Sequence, residues 1–244
     1  MKKFFITGPA RSGTTIMSRC IDDHPQCICL FEGYIQKAAF GSPITRGHSG
    51  RMRQHGFSRE QTDRLRNKVC DAKTFIHWYD ECAQILKPLY DKQEATHIGD
   101  VIHTCPKTKL AIKSFPKIFT IRDPRAILYS GRHHTPRNNY LPQYFQCIRE
   151  NLPYINDNTL VIKFEDFIEY PEKIMNEVYA FLDVPYNDNF MNRTKKPYDE
   201  RFKFNPNATQ GFDTSIINKW KREKKTMIVS DDMKNIIKQF GYEE

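Results

Sequence analysis

Gly8-Pro9-Ala10-Arg11-Ser12-Gly13-Thr14-Thr15 decides the reading of this chain. It follows Lys3-Phe4-Phe5-Ile6-Thr7, an apolar run that reads as a short buried strand. It precedes Ile16, Met17, Cys20 and Ile21, whose spacing marks one apolar face of a helix. A glycine-bearing loop between a strand and a helix start presents backbone N–H groups and the positive end of a helix dipole. Together they hold a phosphate-like anion. Gly8 and Gly13 have the spacing of the nucleotide-triphosphate loop, but Thr14 stands where that loop carries its lysine. The cation lies inside the loop instead, as Arg11. Without the lysine, and with no evident acidic strand for a metal, triphosphate chemistry loses its main electrostatic parts. Arg11 offers a planar fork suited to a tetrahedral oxyanion, and Ser12, Thr14 and Thr15 add hydroxyl donors.

Composition bounds what such a loop can serve. A length of 244 residues suits one large domain, and 27% charged with 39% apolar residues describes a soluble globular protein. The net charge of +9 favours anionic ligands without choosing among nucleic acid, anionic glycans and phosphorylated nucleotides. Seven cysteines form no paired framework. Cys27-x-Cys29 is too close for a zinc knuckle. Reduced thiols and a cytoplasmic setting are expected. Met1-Lys2-Lys3 before Phe-Phe-Ile resembles a signal peptide only in outline, because the apolar run falls well short of the ~7–15 residues required. No stretch approaches the ~20 apolar residues of a membrane span.

Short apolar strands alternate with amphipathic helices along the chain. The first helix ends at His24-Pro25, and Cys27 to Phe31 reads as a second strand closing on Glu32-Gly33. Residues 41–56, rich in Gly, Ser, Arg and His, read as a loop, either a substrate lid or a solvated excursion. Ser58-x-x-Gln61 is a capping box that opens a helix to about Cys70, and Phe75, Tyr79, Cys82, Leu86 and Leu89 mark the next. Lys117 to Ile121 reads as a buried strand, with a helix opened by Pro124 running through Arg132. Tyr140 to Ile148 reads as a helix, Leu160 to Ile162 as a strand, and Pro171 as the start of another helix. Residues 186–211 read as polar and irregular, and Ile216–Lys225 and Ser230–Phe240 as closing helices. The expected fold is α/β, a single domain with a mainly parallel central sheet flanked by helices and a P-loop-like strand–loop–helix at its start.

A second constellation is Ile121-Arg122-Asp123-Pro124-Arg125-Ala126-Ile127-Leu128-Tyr129-Ser130. Arg122 closes a strand, where open α/β sheets bind ligands. Ser130 lies about two turns into the helix, and its side chain leans back toward the helix start, so both can share one anion. The residues alone equally allow an arginine–carboxylate pair and an ordinary helix serine.

The loop, His24-Pro25 and the run from Arg122 to Ser130 resemble the two nucleotide-binding signatures of sulfotransferases that use 3′-phosphoadenosine 5′-phosphosulfate (PAPS). Leu160-Val161-Ile162-Lys163-Phe164-Glu165-Asp166-Phe167 with Tyr170-Pro171-Glu172 resembles that family's strand–helix unit. Lys219-Trp220-Lys221 and Gly241-Tyr242 resemble its closing segment. Motif spacing is nearest the protein-tyrosine, bacterial and glycan-directed branch, and residues from about 40 to 95 are the least matched. The resemblance implies one sulfotransferase-like domain over residues 1–244, PAPS as co-substrate, 3′-phosphoadenosine 5′-phosphate (PAP) as product, and no metal. Arg11, Ser12, Gly13, Thr14 and Thr15 would hold the 5′-phosphosulfate, and Arg122 with Ser130 the 3′-phosphate. Glu32, at the end of the second strand, would be the general base and Arg11 the catalytic cation. Read as a residue alone, Glu32 is a turn glutamate before Gly33. The family's middle lysine is missing: Gly99-Asp100-Val101 carries valine at that place, leaving His103, Lys107 and Lys113 as stand-ins.

The expected reaction is metal-free transfer of a sulfuryl group to an acceptor hydroxyl, on a glycan or small metabolite in preference to tyrosine. Positioning and electrostatics would carry it. The alternatives are a degenerate P-loop kinase and a non-catalytic nucleotide- or nucleic-acid-binding module. No nucleic-acid signature supports the last, so no nucleic-acid partner is expected.

Overall fold

Phe4, Phe5, Ile6 and Thr7 are all buried, as a parallel strand covered on both faces requires. They belong to the middle strand of the sheet. The computed structural model describes residues 1–32, 50, 52–68, 72–102, 112–134, 141–195, 211–222 and 230–242. Five strands form one sheet: β1 (Lys2–Thr7), β2 (Cys27–Phe31), β3 (His97–Val101), β4 (Lys117–Ile121) and β5 (Thr159–Lys163). Their order is β2-β3-β1-β4-β5, with every neighbouring pair parallel. The helices are α1 (Thr14–Asp22), α2 (Arg59–Lys68), α3 (Ala72–Leu89), α4 (Pro124–His134), α5 (Leu141–Asn151), α6 (Phe164–Glu169), α7 (Pro171–Leu182) and α8 (Asp231–Gln239). This is the expected α/β architecture. Among the described residues, no helix is long and apolar enough to cross a membrane.

Alternate residues of β1 feed opposite faces. Phe4 and Ile6 join a core with Met17 and Cys20 of α1, Phe167 of α6 and Met175 and Val178 of α7. Phe5 joins Trp78, Tyr79, Cys82 and Leu86 of α3 on the other face. A third cluster sets Phe119 and Ile121 of β4 against Ile127 of α4, Tyr144 and Ile148 of α5 and Met233 of α8. The chain runs from β1 outward to β2, returns to β3, then crosses β1 to reach β4. The helices after β1 and β4 therefore cover different faces, and a crevice opens at the carboxyl ends of those neighbouring strands.

The capping box forms as read: Ser58 N–H donates to Gln61 Oε1 at 2.8 Å, and Gln61 N–H to Ser58 Oγ at 3.1 Å. Such reciprocal caps stabilise a helix start by about 1 kcal/mol. Three expectations need correction. Strand β3 has no place in the sequence reading, because His-Ile-Gly-Asp-Val lacks an apolar run. It is nevertheless wholly buried. A Cβ on Gly99 would stand 2.2 Å from the Phe4 ring, and the buried Asp100 accepts from the Tyr79 hydroxyl at 3.2 Å. Residues 33–49 and 51 lie outside the described residues, but 52–56 are no solvated loop: Met52 and His55 are buried. Finally, Ile216–Lys225 is not one helix. Among the described residues, short 3₁₀ turns occupy Thr214–Ile216 and Lys219–Arg222. The helix read from Ser230 is α8, capped by Ser230 Oγ accepting from Met233 N–H.

Candidate active site

The loop between β1 and α1 is shaped by what its glycines touch. A Cβ on Gly8 would meet the Thr120 carbonyl at 2.4 Å, and one on Gly13, at φ 92°, would meet the Phe164 ring at 2.4 Å. No other residue type fits those close approaches. Ser12 folds inward. Its N–H and hydroxyl both donate to the Pro9 carbonyl, at 3.2 and 2.7 Å, and its Oγ also lies 2.8 Å from Thr120 Oγ1. Fully buried, Ser12 braces the loop against β4 and does not present its hydroxyl to a ligand. Gly13 is the N-cap of α1 and has no side chain to occupy the helix start. Thr14 and Thr15 begin the helix there.

Arg11 sits at φ 70°. Its Nε donates to Ser130 Oγ at 3.2 Å, and its carbonyl accepts from Arg122 Nη1 at 3.2 Å. Sequence reasoning assigned Arg11 to one anion site and Arg122 with Ser130 to another; the fold makes them one contiguous cluster. Arg122 is 8% exposed, and its guanidinium lies 4.3 Å above the Phe164 ring. Its Nε is buried with no hydrogen-bond partner among the described residues. Burial lowers its pKa to about 10; Glu165 opposes that shift and Arg11 adds to it. Arg122 remains charged at neutral pH.

The neighbouring carboxylate does not pair with Arg122. Asp123 is gripped by Arg125 through both oxygens, Nε to Oδ1 at 3.0 Å and Nη2 to Oδ2 at 2.8 Å. Arg125 in turn lies 4.4 Å over the Trp220 ring. An arginine–carboxylate pair was one of the two readings of this motif, and it belongs to Arg125. Arg122 keeps an Nε without a partner among the described residues.

Glu32 follows β2 at φ 54° and is half-buried. Ile6 and Phe31 both pair with Val101, so Glu32 is level with Thr7, two strand spacings or about 9–10 Å across the same edge. Before it, Phe31 N–H donates to Nε2 of His55 at 3.0 Å, and Nδ1 of His55 lies 3.0 Å from the Tyr90 hydroxyl. His55 is thus a buried brace. Four described residues other than glycine have positive φ: Arg11, Glu32, Asp91 and Asp183. Aspartate tolerates that region through its short polar side chain, whereas a long side chain there carries backbone strain. Val101, at the missing lysine's place, is buried at the end of β3. Lys113 is exposed, and His103 and Lys107 lie outside the described residues.

Several side chains that shape the site escaped the sequence reading. In the sequence Tyr144 lies in a run that reads as a helix, and Glu165 in a segment singled out only by resemblance. In the structure the Tyr144 hydroxyl donates to the Arg122 carbonyl at 2.6 Å, and Asp123 N–H donates to Glu165 Oε1 at 3.1 Å. The Tyr242 hydroxyl donates to Glu165 Oε2 at 3.2 Å. No local signal points to these contacts.

Comparison with known proteins places this geometry. The chain is 26% identical over 211 residues to a protein-tyrosine sulfotransferase of Drosophila melanogaster, covering 77% of this chain and 39% of that protein. It is 26% identical over 204 residues to protein-tyrosine sulfotransferase 1 of Danio rerio, covering 77% of this chain and 55% of that protein. The match thus takes in well under two thirds of either relative. The fold is that of the sulfotransferase domain from the Synechococcus PCC 7002 olefin synthase, with a TM-score of 0.68 at 16% identity, covering 100% of this chain and 95% of that one. The sulfotransferase domain from the curacin biosynthetic pathway gives 0.67 at 14% identity, covering 99% and 98%. Residues 3–188 match the family model of the sulfotransferase family, and the chain belongs to that family.

Proposed function

We propose that this chain transfers a sulfuryl group from PAPS to an acceptor hydroxyl, acting as one domain without a metal. The observation that carries the reading is the Arg11–Ser130–Arg122 cluster at the crevice between β1 and β4, with a buried Arg122 Nε that has no partner among the described residues. A buried cationic donor beside a second arginine is costly until an anion neutralises it. The close-approach glycines at 8 and 13 shape the loop that would lie along a phosphate. The residues present therefore fit a nucleotide with two anionic ends.

Bound PAPS would supply the activated sulfuryl group and its leaving phosphate. Gly13, Thr14, Thr15 and the start of α1 would hold the 5′-phosphosulfate, while Arg122 and Ser130 would hold the 3′-phosphate. Arg11 belongs to both ends, since its backbone lies in the loop and its side chain reaches Ser130. It would neutralise charge developing on the transferring group and the leaving oxygen. Glu32, on the same edge of the sheet, would take the acceptor's proton. The preferred acceptor is a glycan or small-metabolite hydroxyl. A peptide tyrosine is the second reading, favoured by the likeness to two protein-tyrosine sulfotransferases. A cytoplasmic setting is the reading that suits seven cysteines with no paired framework in the sequence.

Calorimetric titration with PAP and with ATP tests the donor; tighter binding of ATP would revive the kinase reading. Ser130→Ala should cost roughly 1–2 kcal/mol of PAP binding, the scale of a hydrogen bond to a charged group, and Arg122→Ala more. Both losses should vanish for ligands lacking the 3′-phosphate, and equal losses for both ligand types would remove the 3′-phosphate role. Activity should also survive excess EDTA. Activity that disappears under EDTA and returns with Mg²⁺ would replace the arginine-based site with a metal-assisted one.

A further inference from the structure

Strand β4 ends at Ile121, so the peptide joining Arg122 to Asp123 lies beyond the sheet ladder. Side chains from distant segments hold it. Its carbonyl accepts from Tyr144 of α5 at 2.6 Å, and its N–H donates to Glu165 of α6 at 3.1 Å. The second Glu165 oxygen accepts from Tyr242 at 3.2 Å. Tyr242 is itself tied down: Lys163 Nζ lies 5.0 Å over its ring and donates to the Gly241 carbonyl at 3.2 Å. Glu165 also follows Phe164, the ring beneath the Arg122 guanidinium. The segment from Lys163 to Glu165 thus supports Arg122 from below and fixes the peptide behind it.

Such a clamp answers a physical problem. Arg122 is buried, lacks a partner at Nε among the described residues, and is repelled by the Arg11 charge. Before an anion arrives, one hydrogen bond to the Arg11 carbonyl and the Phe164 ring are what the described residues offer its guanidinium. Preorganised donors bind and catalyse better than ones that must be ordered on binding. We propose that Tyr144, Glu165 and Tyr242 are positioning residues that hold Arg122 ready for the 3′-phosphate, with Tyr242 as the outermost member. This rests on the role given to Arg122 above.

The test is calorimetry of PAP and of adenosine 5′-monophosphate, which lacks the 3′-phosphate. The proteins are the wild type, Tyr144→Phe, Tyr242→Phe, Arg122→Ala and the double variant Arg122→Ala/Tyr242→Phe, with melting temperatures alongside. Each phenylalanine variant should weaken PAP binding by about five- to tenfold, the worth of one hydrogen bond, and leave the monophosphate within about twofold. In the Arg122→Ala background, Tyr242→Phe should have no further effect on PAP. Equal losses for both ligands, or a loss undiminished in that background, would reduce the clamp to ordinary fold support and overturn the proposal. Should Tyr242→Phe fail to fold, Glu165→Gln takes its place. That variant keeps an acceptor for the Asp123 N–H and should bind PAP better than Glu165→Ala; the reverse order overturns the clamp. If Arg122→Ala alone leaves PAP affinity unchanged, the reading of the donor site fails. If Arg122→Ala is selective and the phenylalanine variants are silent, only the clamp fails.

Discussion

Replacing Arg11 with alanine is expected to lower sulfuryl transfer by about 10³–10⁵-fold, the scale on which an arginine acts on a transferring phosphoryl group. Donor binding should fall with it. Arg11 is the loop's own side-chain cation, and it also donates to Ser130 from across the crevice. The alanine variant removes a charge and frees the serine in one step. Lysine at the same position keeps the charge but not the planar fork, so Arg11→Lys should recover only part of the loss. Steady-state kinetics with PAPS and calorimetry with PAP measure the two effects separately. Values within a few-fold of wild type in both would mean that the loop serves some other purpose.

Glu32→Gln should leave PAP binding nearly intact and cut turnover by about 10²–10⁴-fold, the range for a lost general base. Glutamine keeps the shape and removes the basicity, so it separates proton transfer from support of the turn. An acceptor screen across sugars, phenols and tyrosine peptides supplies the turnover assay, with donor affinity and melting temperature as controls. A glutamine variant with near wild-type rate would move the role elsewhere. His55 could not take it over as it stands, since both its ring nitrogens are engaged with Phe31 and Tyr90.

Local features were the legible ones. The strand–loop–helix around Gly8 to Thr15 and the capping box at Ser58 could be read directly, because a few consecutive residues suffice to specify them. The placement of Arg122 after a strand and of Ser130 on the following helix was legible as well. The hidden parts depend on distant partners. Strand β3 looks polar until Phe4 is known to lie on Gly99 and Tyr79 to bond Asp100. Ser12 reads as a ligand hydroxyl until Thr120 turns it inward. The grip on Arg122 comes from residues 144, 165 and 242, which no periodicity brings together. The contact between the two expected anion sites is of the same kind, because it depends on where the Arg11 side chain points.

The left-handed backbone at Arg11 and Glu32 sets the terms on which this protein can be improved in the laboratory. A long L-side chain in that region costs roughly 1–2 kcal/mol, a penalty that glycine escapes and asparagine reduces. A library screened for heat tolerance alone would therefore enrich glycine or asparagine at both positions, and every such winner would have lost the cation or the carboxylate. Thermostabilising this protein calls for a screen that scores the proposed transfer at every round, or for holding residues 11 and 32 constant while the rest of the chain varies.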